Sequence, residues 1–342
     1  MAYTTIKKPS DYFNTKLYTG TGSELAITGV GFQPDWTWIK ARNIAYDHNL
    51  FDVVRGVTKT IKSNKTDAES TQAQMLKSFN SDGFTIGTDG AVNENTYTFA
   101  SWNWLADNTS GSANTDGSIS STVSANTTSG FSIVSYTGTG ANATVGHGLG
   151  VAPKMVIVKN RSSVYDWVAW QASFAGTEYI VLNKTDAKGT ATAVWNSTIP
   201  TSTVFSLGSN AAVNESSATQ IAYCFAEKQG YSKFGSYTGN GSADGTFVYT
   251  GFKPAFVIIK RTDAAYSWAT YDAKRYPENK STIPALWSNE SSAEGSYSTI
   301  DFLSNGFKIR DTSVTINASG GSYIYMAFAE EPLVGDNPAT AR

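Results

Sequence analysis

Two Asp–Arg pairs spaced three residues apart, Asp52 with Arg55 and Asp272 with Arg275, are the first groups in the chain equipped for chemistry. A carboxylate beside a guanidinium can orient a substrate or hold a proton acceptor ionised. The same pair can also be a buried salt bridge that only holds the fold. A third copy of the surrounding segment decides between them, because it carries Gln171 and Phe174 at the two positions. Joint loss of both charges is what mutual dependence predicts, since removing one partner alone strands the other. The four residues are therefore read as structural ion pairs.

Glu227 and Glu330 each end an apolar run in Phe-Ala-Glu, and paired carboxylates are the machinery of glycoside hydrolysis. They hold equivalent places in different copies, so they are not set to face one another across one sugar. The two histidines, His48 and His147, have no acidic or second histidine neighbour at metal-ligand spacing. His48 stands where the other copies have Trp167 and Trp268, which is a packing position. With one cysteine, Cys224, neither an intrachain disulfide nor a cysteine-based zinc cluster can form. No catalytic residue, cofactor-binding residue or metal ligand is assigned, and the chain reads as a non-enzyme.

The elements that position these residues come in three copies. Leu17-Tyr18-Thr19-Gly20-Thr21-Gly22, Ser135-Tyr136-Thr137-Gly138-Thr139-Gly140 and Ser236-Tyr237-Thr238-Gly239-Asn240-Gly241 each open a block of roughly one hundred residues. In each block a proline (Pro34, Pro153, Pro254) precedes a lysine by six residues (Lys40, Lys159, Lys260). A tyrosine follows six residues later (Tyr46, Tyr165, Tyr266). The glycine motif invites a phosphate-binding reading, but strands follow it rather than a helix whose N-terminus would face the phosphate. It is read as a turn, in which glycine supplies positive φ.

Charged residues make up 16% of the 342, below the roughly 25% of an average domain, and aromatics make up 13%. Gly, Asn, Ser and Thr fill the difference, a mixture suited to turn-rich β structure. The net charge of −2 gives no field to gather nucleic acid. No apolar run approaches the ~20 residues of a membrane span, and residues 1–10 lack the apolar core of a secretion signal. Strand signals are short and frequent, and Asp82-Gly83 and Asn305-Gly306 mark turns.

The expected fold is all-β: three tandem β-sandwich, jelly-roll-like modules at 17–111, 112–228 and 229–331. An N-terminal attachment arm (1–16) and a C-terminal tail (332–342) flank them. Residues 118–125 and 131–134 are expected as a hairpin, and one short helix is expected over 67–78. Modules 2 and 3 should pack closely, with module 1 at an angle behind a Ser/Asn/Thr/Gly linker. Trp195, Tyr276 and Trp287 fall in irregular polar segments and are the candidates for exposed surface recognition, their rings able to stack on sugars.

Particular strings carry a resemblance. Gly31-Phe32-Gln33-Pro34-Asp35-Trp36-Thr37-Trp38-Ile39-Lys40, Phe51-Asp52-Val53-Val54-Arg55-Gly56 and Asn114-Thr115-Asp116-Gly117-Ser118-Ile119 resemble segments of repeat-bearing virion proteins of marine tailed bacteriophages, cyanophage-like. So do Gly148-Leu149-Gly150-Val151-Ala152-Pro153-Lys154, Ala222-Tyr223-Cys224-Phe225-Ala226-Glu227 and Tyr323-Ile324-Tyr325-Met326-Ala327-Phe328-Ala329-Glu330. The resemblance implies a virion structural protein on the particle surface, a tail fibre or tail-associated adhesin. Head decoration is the alternative, and a polysaccharide-degrading tailspike ranks behind both. Expected partners are other virion proteins, through the N-terminal arm, a host-surface glycan, and further copies of the chain, a trimer being favoured. Nucleic acid and membrane insertion are not expected, and the family brings no catalytic residues to carry over.

Overall fold

The computed structural model describes residues 3–334, apart from 278, 280–283 and 296–298, together with 338–339. The chain is all-β, and among the described residues the strand ladders are antiparallel, beside one parallel bridge between Ile119 and Val145.

Each module is built on a main sheet with one recurring order. An opening strand pairs with the closing strand, which pairs with a central strand, which pairs with a fourth. In module 1 these are Phe13–Thr19, Thr98–Trp104, Trp36–Ala41 and Asn49–Asp52. In module 2 they are Phe131–Thr137, Thr219–Phe225, Met155–Asn160 and Val168–Gln171. In module 3 they are Ser232–Thr238, Ser322–Pro332, Phe252–Arg261 and Ala269–Asp272. A smaller sheet covers one face: Leu25–Thr28, Gly83–Ile86 and Leu76–Asn80 in module 1, and Phe247–Tyr249, Gly306–Ile309 and Ile300–Leu303 in module 3. Module 2 has the pair Ala143–Gly146 and Val204–Leu207.

Strand periodicity sends alternate side chains of the central strands of modules 1 and 3 to two different cores, while in module 2 Met155, Val156, Ile157 and Val158 all join one continuous core. Ile39 joins Ile27, Phe84, Ile86 and Phe99 between the two sheets of module 1, and Val257 and Ile259 join Ile300, Phe307 and Ile309 in module 3. The opposite faces meet in one core common to all three modules, containing Trp36, Trp38, Trp104, Ile157, Tyr223, Phe225, Phe256, Ile258 and Phe328. Ring contacts cross every boundary: Trp36 with Tyr223 at 4.4 Å between centroids, Trp104 with Phe328 at 5.6 Å, and Phe225 with Phe328 at 6.0 Å. The three modules thus surround a shared aromatic centre with pseudo-threefold order.

Several expectations change. Module 1 is not set apart behind a linker: Trp36 and Trp104 pack it on modules 2 and 3, and the stretch after Trp104 is tied down by Asp35, whose Oδ2 accepts the backbone N–H groups of Ala106 (2.6 Å) and Asn108 (3.0 Å). Ser112–Asn114 then extends the main sheet of module 2, and Ser121–Asn126 pairs with Phe131–Thr137 as the expected hairpin. Residues 67–78 form no helix. Ser70–Thr71 pairs with Lys59–Thr60, and Leu76 starts a strand paired to Gly83–Ile86, because Leu76 is needed against Ile86 in the module core. The N-terminal segment is no free arm. Ile6 and Phe13 belong to the common core, Phe13 stacks on Phe328 at 5.1 Å, and Tyr3 Oη donates to the Gly251 carbonyl (2.7 Å), closing module 1 onto module 3. Two apolar residues in a short polar stretch leave too little periodicity for this to be read in advance.

Candidate functional site at the module junctions

The glycine turns are anchored by residues whose part the repeat motif did not show. Each module has a one-turn helix, Gly90–Asn93, Ala211–Asn214 or Val314–Asn317, ending in a fully buried asparagine. Asn93 Oδ1 accepts the Thr21 N–H (2.8 Å), while its Nδ2 donates to the carbonyls of Ser23 (2.6 Å) and Gly87 (2.7 Å). Asn214 and Asn317 repeat the arrangement on Thr139 and Asn240. The tyrosine hydroxyls of the motif, on Tyr18, Tyr136 and Tyr237, donate to the carbonyl just before each asparagine. A Cβ on Gly20, Gly138 or Gly239 would run into the carbonyl of Glu94, Glu215 or Ala318, and Gly22, Gly140 and Gly241 sit at φ of +69°, +73° and +68°. The motif is a docking turn. The Val-Asn and Ile-Asn wording before each closing strand was the available signal.

The Asp–Arg pairs lie at the junctions. Asp52 and Arg55 form an ion pair with both side chains fully buried, as do Asp272 and Arg275. Asp52 Oδ2 also accepts the Tyr223 hydroxyl of module 2 (2.7 Å), and Asp272 Oδ2 accepts the Trp102 indole N–H of module 1 (3.0 Å). Arg55 reaches Glu69 (3.3 Å), which holds Arg161 of module 2 (2.9 Å). Arg275 reaches Glu294 (3.1 Å), which holds Arg42 of module 1 (2.9 Å). Two junctions therefore carry one charge ladder, Asp–Arg–Glu–Arg, with a hydrogen-bond donor at its inner end.

The junction between modules 2 and 3 replaces the whole ladder. Gln171 and Phe174 stand for Asp and Arg, and backbone pairing puts Lys188 and Thr262 at the places of Glu and the second Arg. Met326, in the register position of Trp102 and Tyr223, offers no N–H or O–H. Gln171 turns to the Gly235 carbonyl (3.4 Å), and Lys188 pairs with Glu178 (2.6 Å) above the Phe174 ring (5.6 Å).

A second set of contacts runs around the centre in cyclic order. Trp167 Nε1 donates to the Lys62 carbonyl (2.8 Å) and Trp268 Nε1 to the Val181 carbonyl (2.9 Å). His48 Nε2 lies 3.0 Å from the Trp287 carbonyl, and its Nδ1 accepts the Trp38 indole N–H (2.7 Å). An indole only donates and a carbonyl only accepts, so His48 is neutral with its proton on Nε2. Burial holds its pKa well below the usual histidine value. The three repeat lysines are fully buried and cap carbonyls: Lys159 those of Tyr165 and Thr66, Lys260 those of Tyr266 and Thr185, and Lys40 that of Ala41. Desolvation pulls each ammonium down to about 8.

Glu227 pairs with Lys233 (2.7 Å) and Glu330 with Lys253 (3.2 Å), each within its own part of the surface. Cys224 is buried, and desolvation raises its thiol far above the usual range. Among the described residues no group of three His, Cys, Asp or Glu side chains is arranged to hold a metal ion. No helix among them is long and apolar enough to cross a membrane.

Of the three aromatics expected at the surface, Trp195 and Trp287 are buried and Tyr276 is half-buried. Trp195 is 2% exposed and packs in the common core from the one-turn helix Thr192–Trp195. Trp287 is 8% exposed in the edge strand Leu286–Trp287, paired to Ala269–Asp272. Tyr276 is half-buried, its hydroxyl on Glu294 and its ring beside the Arg275 guanidinium (5.8 Å). Their polar neighbours in sequence are loop residues folded over the module edges, which is why the local composition misled.

Exposed rings occur elsewhere. On the edge strand Phe247–Tyr249 the side chains of Phe247 and Tyr249 are 43% and 54% exposed, on either side of buried Val248. Pairing with the next strand makes Ala26 and Thr28 their counterparts in module 1, and Thr144 and Gly146 those in module 2. Only module 3 carries aromatics here. Beside them Asp244 pairs with Lys308 (2.5 Å), and Arg310 with Asp301 (3.3 Å).

Fold and junctions together define an all-β protein of three repeats closed around one core. The chain belongs to the family described as "Domain of unknown function (DUF7483)", which matches residues 8–332 and so spans all three modules as one unit. No curated protein matches the chain.

Proposed function

We propose that the chain is a structural protein of a bacteriophage particle that contacts the host surface, as a tail fibre or tail-associated adhesin. The resemblance of its repeats to virion proteins supports the setting. The single observation that carries the adhesion reading is the pair Phe247 and Tyr249, exposed on one module of a scaffold that is otherwise repeated. A scaffold that keeps its glycine turns and buried lysines in three copies, while one copy alone turns two rings outward on this strand, has a face free to specialise. Among the described residues, the charged groups of the two ladder junctions are satisfied by one another. Purified protein added to host cells before infection should compete with phage adsorption, and the Phe247→Ser/Tyr249→Ser variant should compete less. Equal competition by wild type and variant would remove this face from the reading, and no competition by either would remove adhesion.

Head decoration is the second reading, and the pseudo-threefold body favours it, since such a body matches a threefold position on a capsid lattice. Electron microscopy of intact particles separates the two: density at the tail supports the first, and copies spread over the capsid faces support the second.

A further inference from the structure

Next to Tyr249, where the N-terminal segment crosses from module 1 to module 3, lies a surface pocket of about 280 Å3. Tyr3 and Tyr249 form its aromatic side, and Glu227, Gln229, Ser232 and Lys233 supply its polar side. The Tyr3 hydroxyl is fixed on the Gly251 carbonyl (2.7 Å), so that ring is held rather than free to rotate away. Gly251 has φ of +82°, and a Cβ there would meet that hydroxyl at 2.7 Å, so the wall beneath the ring needs a glycine. Glu227 and Lys233 are paired to each other and leave the rim with no net charge.

We propose that this pocket binds one neutral pyranose ring of a glycan. The phenol rings present flat apolar faces to which the C–H face of a sugar can pack. A carboxylate that only accepts, an ammonium that only donates and an amide that does both match the mixed demands of adjacent sugar hydroxyls. The volume falls just below the ~300–1,000 Å3 of ordinary small-molecule sites, which suits a single ring. The Glu227–Lys233 pair cancels its own field, so neither a phosphate nor a carboxylated sugar is drawn to the site. A second pocket of about 230 Å3, lined in part by Ser10, Asn14 and Glu330, shows no exposed ring. The inference rests on the adhesion reading for its biological meaning and on the pocket alone for its chemistry.

Saturation-transfer NMR on the full chain, with the methyl glycosides of glucose, galactose, mannose and N-acetylglucosamine at millimolar concentration, tests it. At least one should receive saturation at its ring protons, and inorganic phosphate should not displace it. Tyr249→Ala should weaken that binding at least tenfold and Glu227→Gln several-fold, while Phe247→Ala, outside the pocket, should stay within twofold. Tyr249 is more than half exposed, so an unchanged thermal midpoint is expected and shows that loss of binding is not loss of fold. No transfer to any of the four, unaltered binding in Tyr249→Ala, or displacement by phosphate overturns the proposal. Sugar binding without an effect on phage adsorption would keep the pocket and remove the adhesion reading; competition for adsorption without sugar binding would do the reverse.

Discussion

At the scale of single residues, the three repeat lysines show how a shared position can cost the fold something at neutral pH. Lys40, Lys159 and Lys260 are removed from water, and among the described residues no carboxylate lies within salt-bridge reach of any of them. Their ammonium groups are met by carbonyl dipoles, and for each the folded pKa falls from 10.5 to about 8. Below pH 8 the amine is protonated in both folded and unfolded chains, and the shift corresponds to about 3 kcal/mol against folding per lysine. Between pH 8 and 10.5 the folded amine gives up its proton before the unfolded one does, so that penalty shrinks as pH rises. Ionisation of Cys224 from about pH 8.5 and of tyrosines near pH 10 in the unfolded chain opposes this, one thiol against three lysines within the window. Urea midpoints should therefore increase from pH 7.5 to 9.5, and Lys159→Met should reduce the increase by about a third, one of three equivalent groups being lost. A midpoint that falls over that range would contradict the buried, carbonyl-capped assignment.

At the scale of elements, the junctions explain why residues change together. In the ladder at the module 1–2 boundary, Asp52, Arg55, Glu69, Arg161 and Tyr223 each satisfy a neighbour. Breaking a buried ion pair from one side costs about 3–5 kcal/mol, while exchanging a whole set for a packed alternative can be nearly neutral. Arg55→Phe alone should thus destabilise by about 3–5 kcal/mol. The combined set Asp52→Gln, Arg55→Phe, Glu69→Lys, Arg161→Thr and Tyr223→Met, copied from the module 2–3 boundary, should recover most of that loss in urea unfolding. Additive losses would show the positions to be independent. This coupling was half legible. Gln171 and Phe174 betrayed the Asp–Arg pair because they lie three residues apart in a repeat, whereas Glu69 and Arg161 meet only through pairing between modules, which sequence spacing does not encode. The strands, the repeat and the turn reading of Tyr-Thr-Gly-x-Gly were legible because they depend on local periodicity and glycine chemistry. Burial of Trp195, Tyr276 and Trp287 depends on how loops fold over module edges. For that reason Trp195 and Trp287 are buried where exposure was expected, and the exposure of Phe247 and Tyr249 was not legible.

At the scale of the whole molecule, the common core changes what a module is. Trp36, Trp104, Tyr223, Phe225, Phe256 and Phe328 come from three segments, and none of these groups is enclosed by its own module. A detached module would turn that face to water. At about 25 cal/mol per Å2, exposing even a few such rings removes several kcal/mol, comparable to the net stability of a small domain. The N-terminal residues Ile6 and Phe13 make the closure circular by setting module 1 against the last strand of module 3. In an ordinary tandem array, by contrast, each repeat touches only its neighbours and unfolding can proceed piece by piece. Calorimetry should accordingly record one transition for all three modules, with calorimetric and van't Hoff enthalpies equal. Phe328→Ala, placed in module 3, should destabilise the whole chain by about 3–5 kcal/mol and lower the midpoint of that single transition, rather than split off one module. Two or more resolved transitions, or a Phe328→Ala variant in which modules 1 and 2 melt at the wild-type temperature, would show that the aromatic centre only abuts three independent domains.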